Sequence, residues 1–256
     1  MIVKAKKHLG QHFLTDENIA RKIVEALSFE NYRYVLEVGP GTGVLTKYLL
    51  EKKAELYLAE IDEESIAFLK ANYASLTEER FVGDFLKTDF SPMKGEPLAV
   101  IGNFPYNISS QILFKIIEHY HQIPEMVGMF QKEVAQRTAA VPKTKDYGIL
   151  SVLIQAYYKV EYLFTVHENV FNPPPKVKSG VIRLKFAPKE GLQGLETLFK
   201  QIVKTGFNQR RKKLSNALKP LGVPEHLSQH GFMNCRAEEL SVEDFIQLAH
   251  LWKGEV

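Results

Sequence analysis

The residues of this chain best suited to do chemistry are Asn103, Phe104, Pro105 and Tyr106, which follow the apolar run 98–102. An amide oxygen can accept hydrogen bonds from an amino group, and a tyrosine ring can stack on a nucleic-acid base. The proline restricts the backbone where the predicted strand ends. Because Asn-x-Pro is also an ordinary turn signal, these residues predict a site for a planar, nitrogen-bearing ring only together with a second signal.

The second signal is a glycine-rich turn, 39–43, between a predicted strand at 34–38 and a predicted helix at 44–50. Its G-x-G-x-G spacing lets a ligand approach the backbone closely beside a helix N-terminus. Val44 and Thr46 stand where the dinucleotide fingerprint G-x-G-x-x-G would need its third glycine. The turn therefore predicts a cofactor other than a nicotinamide dinucleotide.

The glycine turn or a polar residue follows each of four successive predicted strands. Glu60 ends the second strand, where a carboxylate can accept both hydroxyls of a ribose. Asp84 follows a strand predicted at 81–83, and is either an acceptor for an adenine amino group or an ordinary turn aspartate. Asn103 follows the fourth strand. In a parallel sheet these positions share one edge with Gly39, so we expect a cofactor pocket beside a base pocket.

Strands that alternate with helices of about a dozen residues predict an α/β fold with a parallel sheet. After about residue 150 the pattern changes to two antiparallel strands, 157–166 and 180–186, followed by helical segments. A capping box at 241–244 predicts the start of the last helix. We place a boundary near Pro188, which predicts a domain of residues 1–187 and a small helical domain of residues 188–256.

The composition is that of a folded chain of 256 residues, 45% hydrophobic and 25% charged. No apolar run approaches the roughly 20 residues that span a bilayer. The single cysteine, Cys235, excludes an intrachain disulfide, and no Cys/His cluster has zinc spacing. The first eight residues are basic and lack the apolar core of a signal peptide. These features predict a cytoplasmic protein with no metal site and no membrane partner.

The net charge of +3 is modest, but the positive residues are unevenly distributed. The clusters are Lys4, Lys6 and Lys7; Lys176 and Lys178; and Arg210, Arg211, Lys212 and Lys213. Each cluster alone is typical of a solvated surface, whereas three together predict a surface that faces nucleic-acid phosphates. We expect the last cluster to lie on a helix and its binding to weaken steeply with salt.

Five segments resemble the ribosomal RNA adenine dimethyltransferase family: Lys7–Leu14, Glu37–Gly43, Asn103–Tyr106, Phe171–Val177 and Phe207–Leu214. They occur in family order at family-like spacing, and the small-subunit branch is the more similar one. The resemblance implies a Rossmann-like class I methyltransferase sheet with helices on both faces and a small all-α C-terminal domain. It also implies an enzyme that transfers methyl groups from S-adenosylmethionine, without a metal, to two adjacent adenosines near the 3′ end of small-subunit rRNA in an immature subunit. A monomer is the simplest expectation for its oligomeric state.

The resemblance further assigns roles to individual residues. The implied cofactor contacts are His12, Leu14, Gly39, Gly41, Glu60, Asp84 and Asn103. The expected catalytic residues are Asn103, Phe104, Pro105 and Tyr106, with Tyr106 stacking on the base, and the resemblance implies that Phe171 stacks on it as well. The residues expected to bind RNA phosphates are Arg210, Arg211, Lys212 and Lys213. His12 stands where the family usually has asparagine, and Phe104 where it usually has leucine. We expect the Asn103 amide oxygen and the Phe104 carbonyl to accept the two N–H bonds of the adenine amino group.

Other functions remain open at this point. A large-subunit rRNA adenine methylase shares most of these motifs, but the loop 173–177 and the long helical tail favour the small-subunit branch. A non-catalytic assembly factor could keep the fold, although the presence of Glu60, Asp84 and Asn103 argues for catalysis. A DNA adenine methylase more typically has Asp-Pro-Pro-Tyr, and the glycine spacing disfavours a nicotinamide-dependent oxidoreductase.

Overall fold

The computed structural model describes residues 3–254, so residues 1, 2, 255 and 256 lie outside it. The chain divides into two compact units. The first contains the chain up to Ala135 together with Glu161–Phe186, and the second contains Gln136–Val160 and the chain from Ala187 onward. The division into functional domains at residue 188 stays a prediction. Residues 136–160 are the segment that packs with the C-terminal unit, although the sequence places them in the first domain.

The secondary structure alternates as the sequence predicts, and its elements are numbered in chain order. The strands are β1 (Phe13–Leu14), β2 (Tyr34–Val38), β3 (Glu55–Ala59), β4 (Leu98–Asn103), β5 (Glu125–Gln131), β6 (Tyr158–Val166), β7 (Phe171–Asn172) and β8 (Ser179–Phe186). The helices are α1 (Glu17–Glu25), α2 (Thr46–Leu49), α3 (Glu63–Asn72), α4 (Ser109–Glu118), α5 (Lys132–Ala139), α6 (Ile149–Gln155), α7 (Glu196–Asn208), α8 (Leu214–Ala217) and α9 (Val242–Lys253).

A six-stranded sheet with the order β3-β2-β4-β5-β8-β6 forms the centre of the first unit. Strands β3, β2, β4 and β5 are parallel, and β8 runs antiparallel to β5. Every residue of β2 is buried, as expected for a central strand covered by helices on both faces. The predicted change from parallel to antiparallel strands is confirmed for β8.

The prediction of a strand at 81–83 is wrong. Only Phe81 forms an isolated parallel bridge, with Leu58, and the N–H of Val82 donates to the carbonyl of Leu58 at 2.9 Å. Gly83 has a φ of +68°, which ends the extended conformation immediately. A short pairing of this kind still fixes where the following residue, Asp84, leaves the edge of the sheet.

Helix α1 shows how local signals place an element on the sheet. The side chain of Asp16 accepts a hydrogen bond from the N–H of Ile19 at 3.0 Å and so caps the helix. Ala20, Ile23 and Val24 then bury one face in the core that also contains residues of β2 and β4.

In the second unit, α6, α7, α8 and α9 pack on one another. Ser241 and Asp244 form the predicted capping box at the start of α9, and Phe245 and Leu248 of that helix are fully buried. Helix α6 packs against both α7 and α9, which is why residues 136–160 group with this unit. No helix within residues 3–254 is both long and apolar enough to cross a bilayer.

The basic run 210–213 does not lie on a helix, so that prediction is wrong. Helix α7 ends at Asn208 and α8 begins at Leu214, which leaves the run as the turn between them. Lys213 forms an isolated bridge with Arg236, and the N–H of Leu214 donates to the carbonyl of Cys235 at 2.8 Å. These backbone contacts stop the helical pattern that the sequence suggests.

Candidate active site

The glycine turn lies directly after β2, where the sequence predicts it. Gly39 and Gly41 have φ values of +68° and +54°, a region that side chains disfavour. A Cβ added to Gly41 would lie 2.7 Å from Cε1 of Phe13, so the turn also needs glycine for space. The N–H of Gly39 donates to the carbonyl of Ala59 at 2.9 Å, which ties the turn to the end of β3.

Glu60 follows β3 and lies beside this turn, with only 5% of its surface exposed. Its Oε2 accepts from the N–H of Gly41 at 3.2 Å, and its Oε1 accepts from those of Ile61 and Asp62 at 2.9 and 3.0 Å. Burial raises the pKa of Glu60 above its usual range, and these three backbone bonds oppose that rise. The carboxylate is thus held in a fixed orientation at the edge of the sheet.

Asp84 leaves the same edge after the Phe81 bridge. Its Oδ1 accepts from the N–H of Leu86 at 2.9 Å, which is a turn contact, and the residue also lines a cavity. The loop behind it is held by Lys115, whose Nζ donates to the carbonyls of Leu86, at 3.1 Å, and Thr88. The turn contact uses Oδ1, and Oδ2 forms an ion pair at 3.5 Å with the exposed Lys87. The two sequence interpretations of Asp84 are compatible, because a long, exposed ion pair leaves Oδ2 able to accept from a ligand.

Asn103 is the last residue of β4, and a hydrogen bond to His12 fixes its side-chain amide. Its Nδ2 donates to the carbonyl of His12 at 2.8 Å, so the amide oxygen Oδ1 points away from that contact. Within residues 3–254 neither this oxygen nor the carbonyl of Phe104 accepts a hydrogen bond. The N–H of Phe104 donates to the carbonyl of Met129 at 3.1 Å, which anchors the loop to β5. The end of β4 thus carries two hydrogen-bond acceptors that have no partner among these residues, the Asn103 amide oxygen and the Phe104 carbonyl.

The ring of Phe104 is buried and turned into the sheet. It packs 4.8 Å from the ring of Phe130, and it covers two glycines that are paired in register, Gly102 of β4 and Gly128 of β5. A Cβ on Gly128 would lie 2.0 Å from Cε2 of Phe104. The glycines make room for a ring at a position where the family usually has leucine.

The four positions at the carboxyl ends of the strands, here called the rim of the sheet, lie together. Gly39, Glu60, Asp84 and Asn103 all line one cavity of about 170 Å³, together with His12, Gly41 and the loop of Phe104, Pro105 and Tyr106. A second cavity of about 730 Å³ is lined by Pro173, Pro174, Pro175, Lys176 and Val177. Both cavities share Gly10, Gln11, His12, Tyr106 and Asn107 as lining residues. The arrangement provides a small cavity next to a wider one.

Comparison with known proteins identifies the family. A family model described as ribosomal RNA adenine dimethylase matches residues 2–253. The chain belongs to this family. The sequence is 52% identical to the ribosomal RNA small subunit methyltransferase A of Cytophaga hutchinsonii, over 99% of each chain. Further curated relatives, 48% to 54% identical, have the same name.

Solved structures agree with this assignment. A dimethyladenosine transferase from Plasmodium falciparum has a TM-score of 0.78 and 28% identity, covering 95% of this chain and 98% of that one. The 23S rRNA methyltransferase ErmE has a TM-score of 0.72 and 25% identity, covering 94% and 99%. The family and the class I methyltransferase fold predicted from the sequence are therefore confirmed.

Two residues that the resemblance places in the dimethylase site line neither cavity. Leu14 and Phe171 pair with each other between β1 and β7, and their side chains are 3% and 4% exposed within the hydrophobic core. The short β1–β7 ladder was not expected from the sequence. This ladder positions His12, the residue just before β1. The role of Leu14 in cofactor binding and that of Phe171 in base stacking stay predictions.

Tyr106 lines both cavities, and its stacking role stays a prediction. Its hydroxyl lies 2.5 Å from Oγ of Ser179, the first residue of β8, which fixes the ring at the edge of both cavities. Burial raises the pKa of Tyr106, so the phenol stays neutral at physiological pH. Sequence reasoning missed Ser179, because nothing in the chain links it to the loop at 103–106.

Sequence reasoning also missed Ile61 and Glu37. Ile61, next to Glu60, lines the small cavity and is 57% exposed, a large fraction for an isoleucine. Glu37 is fully buried in β2, and its Oε2 accepts from Oγ1 of Thr46 at 2.7 Å. Burial raises the pKa of Glu37 to about 8. A carboxylate within an otherwise apolar strand was the available signal.

The positive clusters have different surroundings. Lys6 forms ion pairs with Asp62 and, at 3.2 Å, with Glu64, whereas Lys7 and Lys176 line the larger cavity. Within the described part of the chain, no group of three or more His, Cys, Asp or Glu side chains is arranged to hold a metal ion.

In the second unit, Arg210 is engaged with the protein itself. Its Nε pairs with Glu238 at 2.5 Å, and its other nitrogens donate to the carbonyls of Lys145 and Thr144 at 2.7 and 3.0 Å. Arg211 and Lys212 are exposed, and among residues 3–254 neither forms an ion pair. The four charges therefore do not form one uniform surface.

Proposed function

We propose that this member of the dimethylase family transfers methyl groups to N6 of two adjacent adenosines near the 3′ end of small-subunit rRNA. The observation that carries the proposal is the shared cavity of Gly39, Glu60, Asp84 and Asn103 beside the wider one at Tyr106. The substrate is rRNA in an immature small subunit, and the enzyme acts as a cytoplasmic monomer.

The residues of the small cavity fit S-adenosylmethionine. Glu60 offers an oriented carboxylate for ribose hydroxyls, Ile61 an exposed apolar surface for an adenine ring, and Asp84 an acceptor for its amino group. The turn at Gly39 and Gly41 has no side chains that would fill the chamber. When bound, the cofactor supplies a methyl group on a positively charged sulfur.

Asn103 and Phe104 activate the target amino group. The lone pair of an exocyclic adenine nitrogen is delocalised into the ring, which makes this nitrogen a weak nucleophile. The Asn103 Oδ1 and the Phe104 carbonyl accept its two N–H bonds and favour a pyramidal nitrogen with the lone pair directed at the methyl group. Both acceptors have no other partner among residues 3–254, so they are available for this contact.

Positioning of the adenine nitrogen against the methyl group supplies much of the acceleration of methyl transfer. Well-oriented groups in intramolecular reactions gain up to about 7–11 kcal/mol from proximity. Nitrogen becomes acidic once it is methylated, so its proton leaves without a strong base, and the reaction needs no metal. Tyr106 stacks on the adenine after the base leaves its own stack in the RNA.

The decisive experiment incubates the enzyme with labelled S-adenosylmethionine and, separately, unmethylated small subunits, large subunits and DNA. We expect label in small subunits alone, on two adjacent adenosines near the 3′ end of their rRNA. Label in large subunits would instead favour the activity of the ErmE-like branch. Binding to small subunits without transfer would identify an assembly factor, and both results would contradict the proposal.

A further inference from the structure

The aromatic ring in contact with Tyr106 is the imidazole of His12. The two ring centroids lie 5.4 Å apart, and the planes are inclined by 30°, which is a stacked arrangement. Phe171, the partner suggested by the resemblance, is buried in the core and lines neither cavity. A second wall for a base at Tyr106 is therefore present, but it comes from a different part of the chain.

Hydrogen bonds hold this imidazole in place. Nδ1 of His12 lies 2.8 Å from the carbonyl of Pro173, and because a carbonyl can only accept, Nδ1 carries the hydrogen. The carbonyl of His12 in turn accepts from Nδ2 of Asn103 at 2.8 Å. One residue thus contacts the loop of Pro173, the ring of Tyr106 and the amide that binds the target amino group.

The position of His12 matches the path of an incoming base. It lines both the wide cavity and the small one, as Tyr106 does. A base inserted between these two rings would lie at the junction of the two cavities, next to Asn103 of the small one. The family's usual asparagine at this position has no aromatic face, so the stack depends on the histidine of this chain.

We propose that His12 is the second wall of the slot that receives the target adenine, opposite Tyr106, an inference that rests on the proposed function. Two stacking contacts through a base need about 7 Å between the outer rings, since each contact takes roughly 3.5 Å. The imidazole therefore moves outward when the base enters, because it now stacks directly on Tyr106. His12 belongs to no helix or strand, so this movement breaks no regular hydrogen-bond ladder.

Steady-state kinetics on unmethylated small subunits test the proposal with three variants. His12→Ala removes the ring, His12→Phe keeps a ring, and His8→Ala is the matched control, because His8 is exposed and lines neither cavity. We expect His12→Ala to raise the KM for subunits about tenfold, within the range measured for base–aromatic stacking. His12→Phe should stay within about threefold of the unaltered enzyme and His8→Ala should equal it.

A binding readout separates stacking from a merely structural effect. An RNA fragment with 2-aminopurine in place of a target adenosine reports stacking by quenched fluorescence, whether or not methyl transfer occurs. Quenching should be strong with the unaltered enzyme and with His12→Phe, and weaker with His12→Ala.

Three results would overturn the proposal: an unchanged or lower KM for His12→Ala, equal quenching in all variants, or a His12→Phe enzyme as impaired as His12→Ala. The last would mean that the Pro173 hydrogen bond matters and the stack does not. If the unaltered enzyme fails to methylate small subunits, the proposed function is refuted instead, while the fluorescence still decides the role of His12.

Discussion

Two regions were predicted to be functional because polar or charged residues are concentrated there. They are the rim of the sheet around Asn103 and the basic turn 210–213. At the rim, each group follows a different strand, and the parallel sheet brings them to one cavity. In the basic turn, neighbours in sequence have different surroundings, since Arg210 is bound by Glu238 while Arg211 is exposed. Topology can gather distant residues into a site, whereas adjacency in sequence does not ensure a common role.

The largest expected effect is that of Asn103→Ala, which tests whether the rim is catalytic. Loss of one oriented hydrogen-bond partner of the reacting group should slow methyl transfer by roughly 10²- to 10³-fold. Single-turnover transfer from labelled S-adenosylmethionine to small subunits measures this rate.

Binding of the same variant to small subunits serves as the control and should change little, because the proposed contact of Asn103 is with the base and not with the phosphates. A nearly normal transfer rate would remove Asn103 from the mechanism. The rim would then be a cofactor site alone, and the contrast with the basic turn would concern binding only.

Gly128→Ala tests how rigidly the sheet supports the rim. The added Cβ would lie 2.0 Å from the ring of Phe104, and overpacking of this severity should lower the free energy of unfolding by about 3 kcal/mol. Chemical denaturation measures the loss. Gly231→Ala is the control, since a Cβ there meets open space.

Combining Gly128→Ala with Phe104→Leu should recover part of the lost stability, because leucine leaves room for the new methyl group. Additive losses in the double variant would show that the two residues do not share that space. The loop after β4 would then owe its position to some contact other than the packing of Phe104 on the two glycines.

Glu37→Gln tests the buried carboxylate behind the glycine turn. Burial raises the pKa of Glu37 from its usual 4.5 to about 8, so the folded state favours the protonated form. Its stabilisation is complete below pH 4.5 and is lost as the pH rises toward 8, by at most about 1.4 kcal/mol per pH unit. The glutamine variant should lose this slope when unfolding is measured between pH 5 and 9.

Glu55→Gln is the matched control for that experiment. Arg33 holds the pKa of Glu55 below its usual range, so this carboxylate is ionised throughout the window and its loss should leave the slope unchanged. An unaltered slope in Glu37→Gln would mean that Glu37 is charged in the folded enzyme. The turn would then be built around a negative charge, and not around a neutral acid.

The sequence predicted those features that follow from a repeating pattern. Strand ends and glycines place Gly39, Glu60 and Asn103 on one rim, because parallel strands end at the same edge. It did not predict that Ser179 bonds Tyr106, since this contact depends on how β8 packs. The helix expected at 210–213 failed because bridging to Arg236 overrides a local helical preference.

The smallest effects belong to the basic turn and separate its members. Arg210→Ala removes an ion pair to Glu238 and hydrogen bonds to two carbonyls, and because the pair is partly exposed we expect a loss of only about 1–2 kcal/mol of unfolding free energy. Arg211→Ala and Lys212→Ala should leave stability unchanged, since they lack such contacts. Chemical denaturation of the three variants compares them.

The salt dependence of RNA binding should rank these residues in the opposite order, with Arg211 and Lys212 affecting it more than Arg210. Each lost phosphate contact lowers the slope of log affinity against log salt by about 0.7 to 0.9. Arg211→Ala and Lys212→Ala should each show this decrease, whereas Arg210→Ala should keep the slope of the unaltered enzyme because its guanidinium is already occupied. Equal decreases for all three would mean that RNA displaces Glu238 from Arg210. The run would then act as one surface after all, and adjacency in sequence would have been the correct guide in this region.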